Sequence, residues 1–228
     1  MTVPPHSLTS TAGRLRAYQN LAFKDHGVLR LAFHNAHQIS PEMWRANQPW
    51  PHHVAAWARK GIKTIVNLRG GVGTGYHALE LEACQRHGIE LIDFNVDGHA
   101  VTSRAIPRAI QIKGAKTLFE SLTYPAMMHC KSGADRAGVM AALYCHFRLG
   151  QPIEDARRQL SAKYLHIRAG KTGVLDYLFD VYLARIAPTG QSFYDWTQSP
   201  DFDHDALKAE FQANWWVTWL TDKILRRE

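Results

Sequence analysis

Cysteine is scarce: Cys84, Cys130 and Cys145 are the only three in 228 residues. That is too few for a disulfide framework and suits a reducing compartment. Long apolar runs are missing as well. The stretch Trp215-Trp216-Val217-Thr218-Trp219-Leu220 is six residues, far short of the roughly 20 needed to cross a bilayer as a helix. Met1 to Asn20 lacks the apolar segment of a secretory signal. No internal repeat, low-complexity tract or evident linker interrupts the chain. A composition that is 46% hydrophobic and 21% charged excludes disordered, collagenous and coiled-coil classes. These absences predict a soluble, cytoplasmic protein of one generous domain, or of one domain with an appendage.

What the chain does have is positive charge in its middle. The formal net charge is +7, and residues 101–171 carry 12 Lys/Arg against 4 Asp/Glu, while residues 172–228 carry 5 against 9. A concentrated positive field attracts nucleic acid, anionic lipid or phosphorylated substrates, although the same count can arise from solvated helix faces. Aromatic-and-basic interleaving of the kind that binds nucleic acid is lacking, so no nucleic-acid partner is expected.

Periodicity and punctuation place the elements. Pro49 to Lys60 reads as a helix stopped by Gly61, and His77 to His87 as a helix stopped by Gly88. Ile62 to Leu68, closed by Gly70-Gly71, and the alternating Ile89 to Val96 read as strands. Arg104 to Leu122 is a longer helical stretch. Pro125 to Cys130 is a short apolar run after a proline, read as a buried strand, and Ala137 to Leu149 is a helix ended by Gly150-Gln151-Pro152. The remainder reads as helical, with breaks near Gly170 and Pro188. Strands separated by helices predict an α/β fold: a small, mostly parallel central sheet flanked by helices, with an extra helical C-terminal region. The expected division is residues 1–38 as an extension on the core, 39–187 as the main domain and 188–228 as a C-terminal helical extension of the same globule.

Ligands of such folds collect at the carboxyl ends of the strands. There the sequence reads His129-Cys130-Lys131-Ser132-Gly133-Ala134-Asp135-Arg136-Ala137-Gly138. A cysteine ends a strand, five residues turn, and an arginine opens a helix. The N–H groups of Lys131, Ser132, Gly133, Ala134, Asp135 and Arg136, with the helix dipole, can converge on an oxyanion. The same field stabilises a thiolate, the nucleophilic form of cysteine. Arg136 offers a planar fork for two phosphate oxygens, and Gly133 permits a backbone twist that a side chain would obstruct. His129 is expected to orient the loop through hydrogen bonds.

These residues resemble the signature of the cysteine-dependent protein tyrosine and dual-specificity phosphatases, His-Cys-x-x-Gly-x-x-Arg. Met43-Trp44-Arg45-Ala46-Asn47-Gln48-Pro49 and Gly61 to Arg69 are similar to the N-terminal half of small atypical dual-specificity phosphatases, so the resemblance spans roughly Ile39 to Tyr182. It implies a metal-independent, cofactor-free mechanism: Cys130 attacks phosphorus, a phosphocysteine forms, and water hydrolyses it. It also implies a general acid on a loop some thirty residues before the cysteine. Asp97, 33 residues ahead of Cys130 and directly after a strand, fits that place; Asp93, inside the strand, Asp135, or no acid at all are the alternatives.

Two departures carry information. The family usually has Ser or Thr after the arginine, where its hydroxyl helps the thiolate leave, whereas here Ala137 stands. Lys131 resembles phosphoinositide phosphatases and Asp135 the myotubularin type, which favours a highly anionic substrate; the plain alternative is a solvated lysine and a helix-capping aspartate. Arg168 and Lys171 could extend the positive rim. Gly170-Lys171-Thr172 is no nucleotide loop, because the first glycine of that motif would fall on Leu165. The histidine pairs His34 with His37 and His52-His53 lack neighbouring carboxylate or thiol ligands, so no metal is expected. Cys84 could protect Cys130 as a disulfide, as in some relatives, and Cys145 reads as core. Leu207, Phe211, Trp215 and Trp219 form an amphipathic stripe that reads as core packing, with no stable membrane insertion.

The expected function is a phosphomonoester hydrolase acting on phosphoprotein or another anionic phosphorylated small molecule or lipid. Its rivals are a phosphoinositide or phospholipid phosphatase of the same mechanism, a rhodanese-like sulfur transferase, and a weakly catalytic phosphate-binding module.

Overall fold

The proline-led run before the Cys130 loop becomes the middle of the sheet. In a computed structural model, which describes residues 8–95 and 100–213, strand β5 (Ala126–Cys130) is fully buried and has a strand on each side. The five-stranded sheet runs β1 (His37–Ser40), β2 (Met43–Asn47), β5, β3 (Thr64–Asn67), β4 (Glu90–Asp93). β1 pairs antiparallel with β2, and the other pairings are parallel. The predicted α/β class with a mostly parallel sheet is what the chain forms.

Register decides what meets at the sheet's carboxyl end. Asn47 lies opposite Cys130, Asn67 opposite His129, and Asn67 opposite Asp93. Because side chains alternate along a strand, Ala126, Met128 and Cys130 enter one core cluster while Met127 enters another. The first cluster packs under α5 (Ala109–Ser121), α6 (Asp135–Phe147) and α8 (Val174–Val181). The second packs under α3 (Pro51–Arg59) and α4 (Gly75–His87). Ahead of the sheet lie α1 (Thr11–Gln19), a wide helical turn over Asn20–Lys24, and α2 (Val28–Ala32). The short α7 (Ile153–Ala156) follows α6, α9 (Phe193–Gln198) follows α8, and residues 204–213 are helical.

Several boundaries differ from the sequence reading for identifiable reasons. Helix α5 begins at Ala109 rather than Arg104, because Pro107 cannot donate within a helix and biases the residue before it away from helical geometry. Helix α6 begins two residues earlier than Ala137, at Asp135, a carboxylate favoured in a first turn. Strand β4 stops at Asp93, three residues short of Val96. The stops at Gly61 (φ 83°) and Gly88 (φ 66°) fall where expected, both in left-handed backbone. β1 and β2 were not anticipated. Leu207 and Phe211 pack against the first core cluster, whereas Trp215 and Trp219 lie outside the described residues. Among the described residues, no helix is long and apolar enough to cross a membrane.

Candidate active site

The loop after β5 is held from outside by its carbonyls. Lys131 O accepts from Gln48 N at 3.4 Å, and Ser132 O from Asn35 Nδ2 at 2.9 Å. Gly133 O and Ala134 O both accept from one terminal nitrogen of Arg45, at 2.8 and 2.9 Å. A trans peptide directs its N–H opposite to its C=O. Four carbonyls turned outward therefore leave the N–H groups of Ser132, Gly133, Ala134 and Asp135 on the inner side, where an oxyanion could sit. Gly133 makes the turn at φ +75°, and a Cβ there would come within 2.8 Å of the Ala46 carbonyl carbon. Only glycine serves both the backbone angle and that approach.

Above the loop is a cavity of about 400 Å³. Cys130, Lys131, Ser132, Asp135 and Arg136 line its floor, with Asn47 and Ser103 beside them. The thiol is almost wholly buried among protein atoms, at the carboxyl end of the central strand. Arg136 opens towards the cavity and reaches the Arg69 carbonyl at 3.4 Å. Ala137 is buried in the first turn of α6 and supplies no hydroxyl. His129 faces away from the cavity, fully buried, with Nε2 2.6 Å from Glu80 Oε1, and Glu80 in turn accepts from Gln48 Nε2 at 2.7 Å. The chain from β2 to the loop is thereby tied to α4.

Asp97 lies outside the described residues. Asp93 is engaged elsewhere: it accepts from Asn67 Nδ2 at 2.6 Å, and His77 Nε2 lies 2.8 Å from its Oδ2. Arg168, expected as a possible rim cation, is paired with Asp180 at 2.6 Å. Cys84 sits in the α3/α4 core cluster and Cys130 in the other. Cys84 and Cys145 are free and buried, and burial pushes both thiols up, Cys145 to about 11. His34 stacks on His53 with ring centroids 4.0 Å apart, and burial pulls His34 down to about 4 and His53 to about 3.

No protein-family model and no curated protein sequence matches the chain. Solved structures do. A cysteine-to-serine variant of TpbA from P. aeruginosa, in complex with pTyr, superposes with a TM-score of 0.50 at 15% identity, over 73% of this chain and 91% of that one. A DUF442 protein from Shewanella putrefaciens CN-32 also gives 0.50 at 15% identity, over 68% of this chain and 97% of its own. The chain has the fold of the cysteine-based tyrosine/dual-specificity phosphatases. At such identity the likeness is one of fold, and the chemistry has to be argued from side chains.

This phosphatase-like fold carries site residues that periodicity could not reveal. Arg45, expected only as part of a resembling segment, is the clamp beneath the loop. Asp25, from the N-terminal segment, is buried and pairs with Arg30 and with Arg69, whose NH1 donates at 2.8 Å; Lys131 Nζ stands 3.5 Å away. Burial alone would raise the Asp25 pKa, but the Arg69 hydrogen bond and the charges of Arg30 and Lys131 hold it below the usual carboxylate range. Asp135 is held by His166, whose Nδ1 lies 2.8 Å from Asp135 Oδ1 while Nε2 lies 2.7 Å from Asp176 Oδ2.

Burial opposes the charge on His166, yet its hydrogen bonds to Asp135 and Asp176 outweigh burial and lift its pKa from 6.5 to about 9. A histidine whose folded pKa is raised contributes stability that is complete below its unfolded pKa and disappears as pH rises through the folded one. The wild type should therefore lose up to about 3 kcal/mol of stability between pH ~6.5 and ~9, at ~1.4 kcal/mol per pKa unit. Urea unfolding of wild type and His166→Gln across that range would measure it. Parallel stability curves for the two proteins would refute the assignment.

Proposed function

We propose that this protein is a phosphomonoester hydrolase working through a phosphocysteine intermediate, on phosphoprotein or another anionic phosphorylated substrate. The observation that carries the reading is Cys130 at the floor of the cavity, ending the central strand, with Arg136 six residues on and the carbonyls of residues 131–134 turned outward. The phosphotyrosine in the TpbA complex supports a phosphate monoester as the ligand of such a loop.

In the first step the Cys130 thiolate attacks phosphorus, an S–P bond forms and the P–O ester bond breaks. The departing oxygen takes a proton from Asp97. Arg136 spans two of the equatorial oxygens, and the inward N–H groups meet the charge that builds on them. In the second step water, giving its proton back to Asp97, attacks phosphorus and releases inorganic phosphate and the thiolate. With Ala137 lacking a hydroxyl, Ser132 and water are left to support that departure, so the phosphocysteine should accumulate. No step requires a metal.

The role of Asp97 can be read from the leaving group. General acid catalysis contributes roughly 10²–10⁴-fold where the departing oxygen needs a proton. Asp97→Asn, assayed in chelator, should slow phenyl phosphate by about that factor and nitrophenyl phosphate much less, and should remove one limb of the pH profile. Equal losses on both esters would assign the acid elsewhere. If the wild type neither turns over aryl phosphate nor traps phosphate on Cys130, the phosphate-binding module replaces the enzyme.

A further inference from the structure

The cavity over Cys130 has charge inside and hydrocarbon outside. Inside, Arg30, Lys131 and Arg136 line it with Asp135, and Asp25 is the carboxylate between Arg30 and Lys131. Arg30 is buried, and its Nε makes no hydrogen bond. At the mouth the lining side chains are Leu29, Phe33 and Leu165, which are 77%, 53% and 52% exposed. They come from two segments more than a hundred residues apart, and each continues in exposed hydrophobics: Val28 and Leu31 on one, Ile167, 68% exposed, on the other.

The backbone of this mouth is held in a costly conformation. Among the described residues, the non-glycine positions with positive φ are His26, Asn35 and Leu165. His26 and Leu165 line the cavity. Asn35 donates to Ser132 O in the loop and, at 3.4 Å, to Tyr164 O next to Leu165. Strain of this kind persists where the surrounding structure over-determines it, typically at ligand sites. Here it presents a leucine to solvent.

We propose that this mouth docks on an anionic bilayer surface and that the substrate is a lipid phosphomonoester. The inference rests on the phosphatase reading and names its substrate class. The monoester would sit on the Cys130–Arg136 loop, further anionic oxygens of the headgroup near Arg30 and Lys131, and hydrocarbon against Leu29, Phe33 and Leu165. Two features favour this occupant. The charge is complementary, since the cavity lining carries Arg30, Lys131 and Arg136 against Asp135, and basic groups close to a membrane are attracted by anionic lipid. The rim is also hydrocarbon. A phosphopeptide would bring main-chain N–H and C=O groups that these side chains cannot satisfy, whereas acyl chains bring none.

The test uses the full chain. Cys130→Ser protein is sedimented with phosphatidylcholine vesicles, with and without phosphatidic acid. Wild type is assayed on phosphatidic acid in the same vesicles, on glycerol 3-phosphate and on a phosphotyrosine peptide. Binding only to the anionic vesicles is expected, with kcat/KM for phosphatidic acid at least ~tenfold above the other two, because remote binding energy is expressed in turnover. The double variant Leu31→Glu/Ile167→Glu, altered outside the cavity, should lose vesicle binding and lipid turnover about tenfold and keep aryl phosphate turnover. Absence of anionic-vesicle binding, equal binding by the double variant, or a preference for the peptide would overturn the proposal. If the wild type hydrolyses neither aryl nor lipid phosphate and traps no phosphate on Cys130, the phosphatase reading fails, and the vesicle arm still decides the docking surface.

Discussion

Cys130→Ser is expected to lower phosphomonoester turnover by about four orders of magnitude or more, because the variant lacks a nucleophile rather than a binding group. A serine hydroxyl is not ionised near neutral pH, and neither of the buried histidines beside the loop is turned to deprotonate it: His129 points to Glu80, and His166 lies between Asp135 and Asp176. The oxyanion cradle is untouched, since Arg45 and Asn35 hold the carbonyls of residues 132–134 and Arg136 remains at the helix start. Phosphate affinity should therefore survive in Cys130→Ser. Calorimetric titration with inorganic phosphate reads that directly. In the wild type, acid quenching during turnover should trap one phosphoryl group on Cys130, detectable by mass. A serine variant within tenfold of wild-type activity would remove Cys130 from the mechanism.

The loop was legible in the sequence because its chemistry is local. A proline, an apolar run, a cysteine, a glycine and an arginine follow one another within a dozen residues, and each acts on its neighbours. The helices ending at Gly61 and Gly88 were legible for the same reason. What escaped has long-range causes. In Met43–Asn47, Arg45 stands at a buried position, so alternation misleads unless one knows that four acceptors wait for its guanidinium. Asp25, Arg69 and Lys131 are far apart in sequence, and nothing in any one of them announces the cluster. The N-terminal segment was harder still: Leu29 and Phe33 are apolar yet exposed, so the rule that apolar residues mark the core points the wrong way. His166 has no motif at all, and only the fold brings it between two carboxylates.

Arg45→Ala should cost more stability than any surface change and should disable the site in the protein that remains folded. Arg45 is 0% exposed and its side chain is among the largest fully buried ones. One terminal nitrogen donates to Gln159 O at 2.6 Å and to Gln159 Oε1 at 3.1 Å, and the other to Gly133 O and Ala134 O. The guanidinium lies 4.2 Å from the centre of the Tyr164 ring. Burial pulls its pKa down to about 10. Removing it leaves buried carbonyls unpaired and opens a cavity, together worth about 3–5 kcal/mol. That is a large share of the roughly 5–15 kcal/mol available to a folded domain. Freed from Arg45, the peptides of residues 133–135 can rotate, and N–H groups that are no longer aimed inward lose about 10²–10³-fold in kcat. Arg45→Lys separates the two effects: it restores a buried cation but cannot span both carbonyls and Gln159, so it should regain part of the stability and little of the activity. Urea unfolding and turnover, measured at a temperature where both variants are folded, provide the comparison. If Arg45→Ala folds and turns over like the wild type, the loop is organised without the clamp.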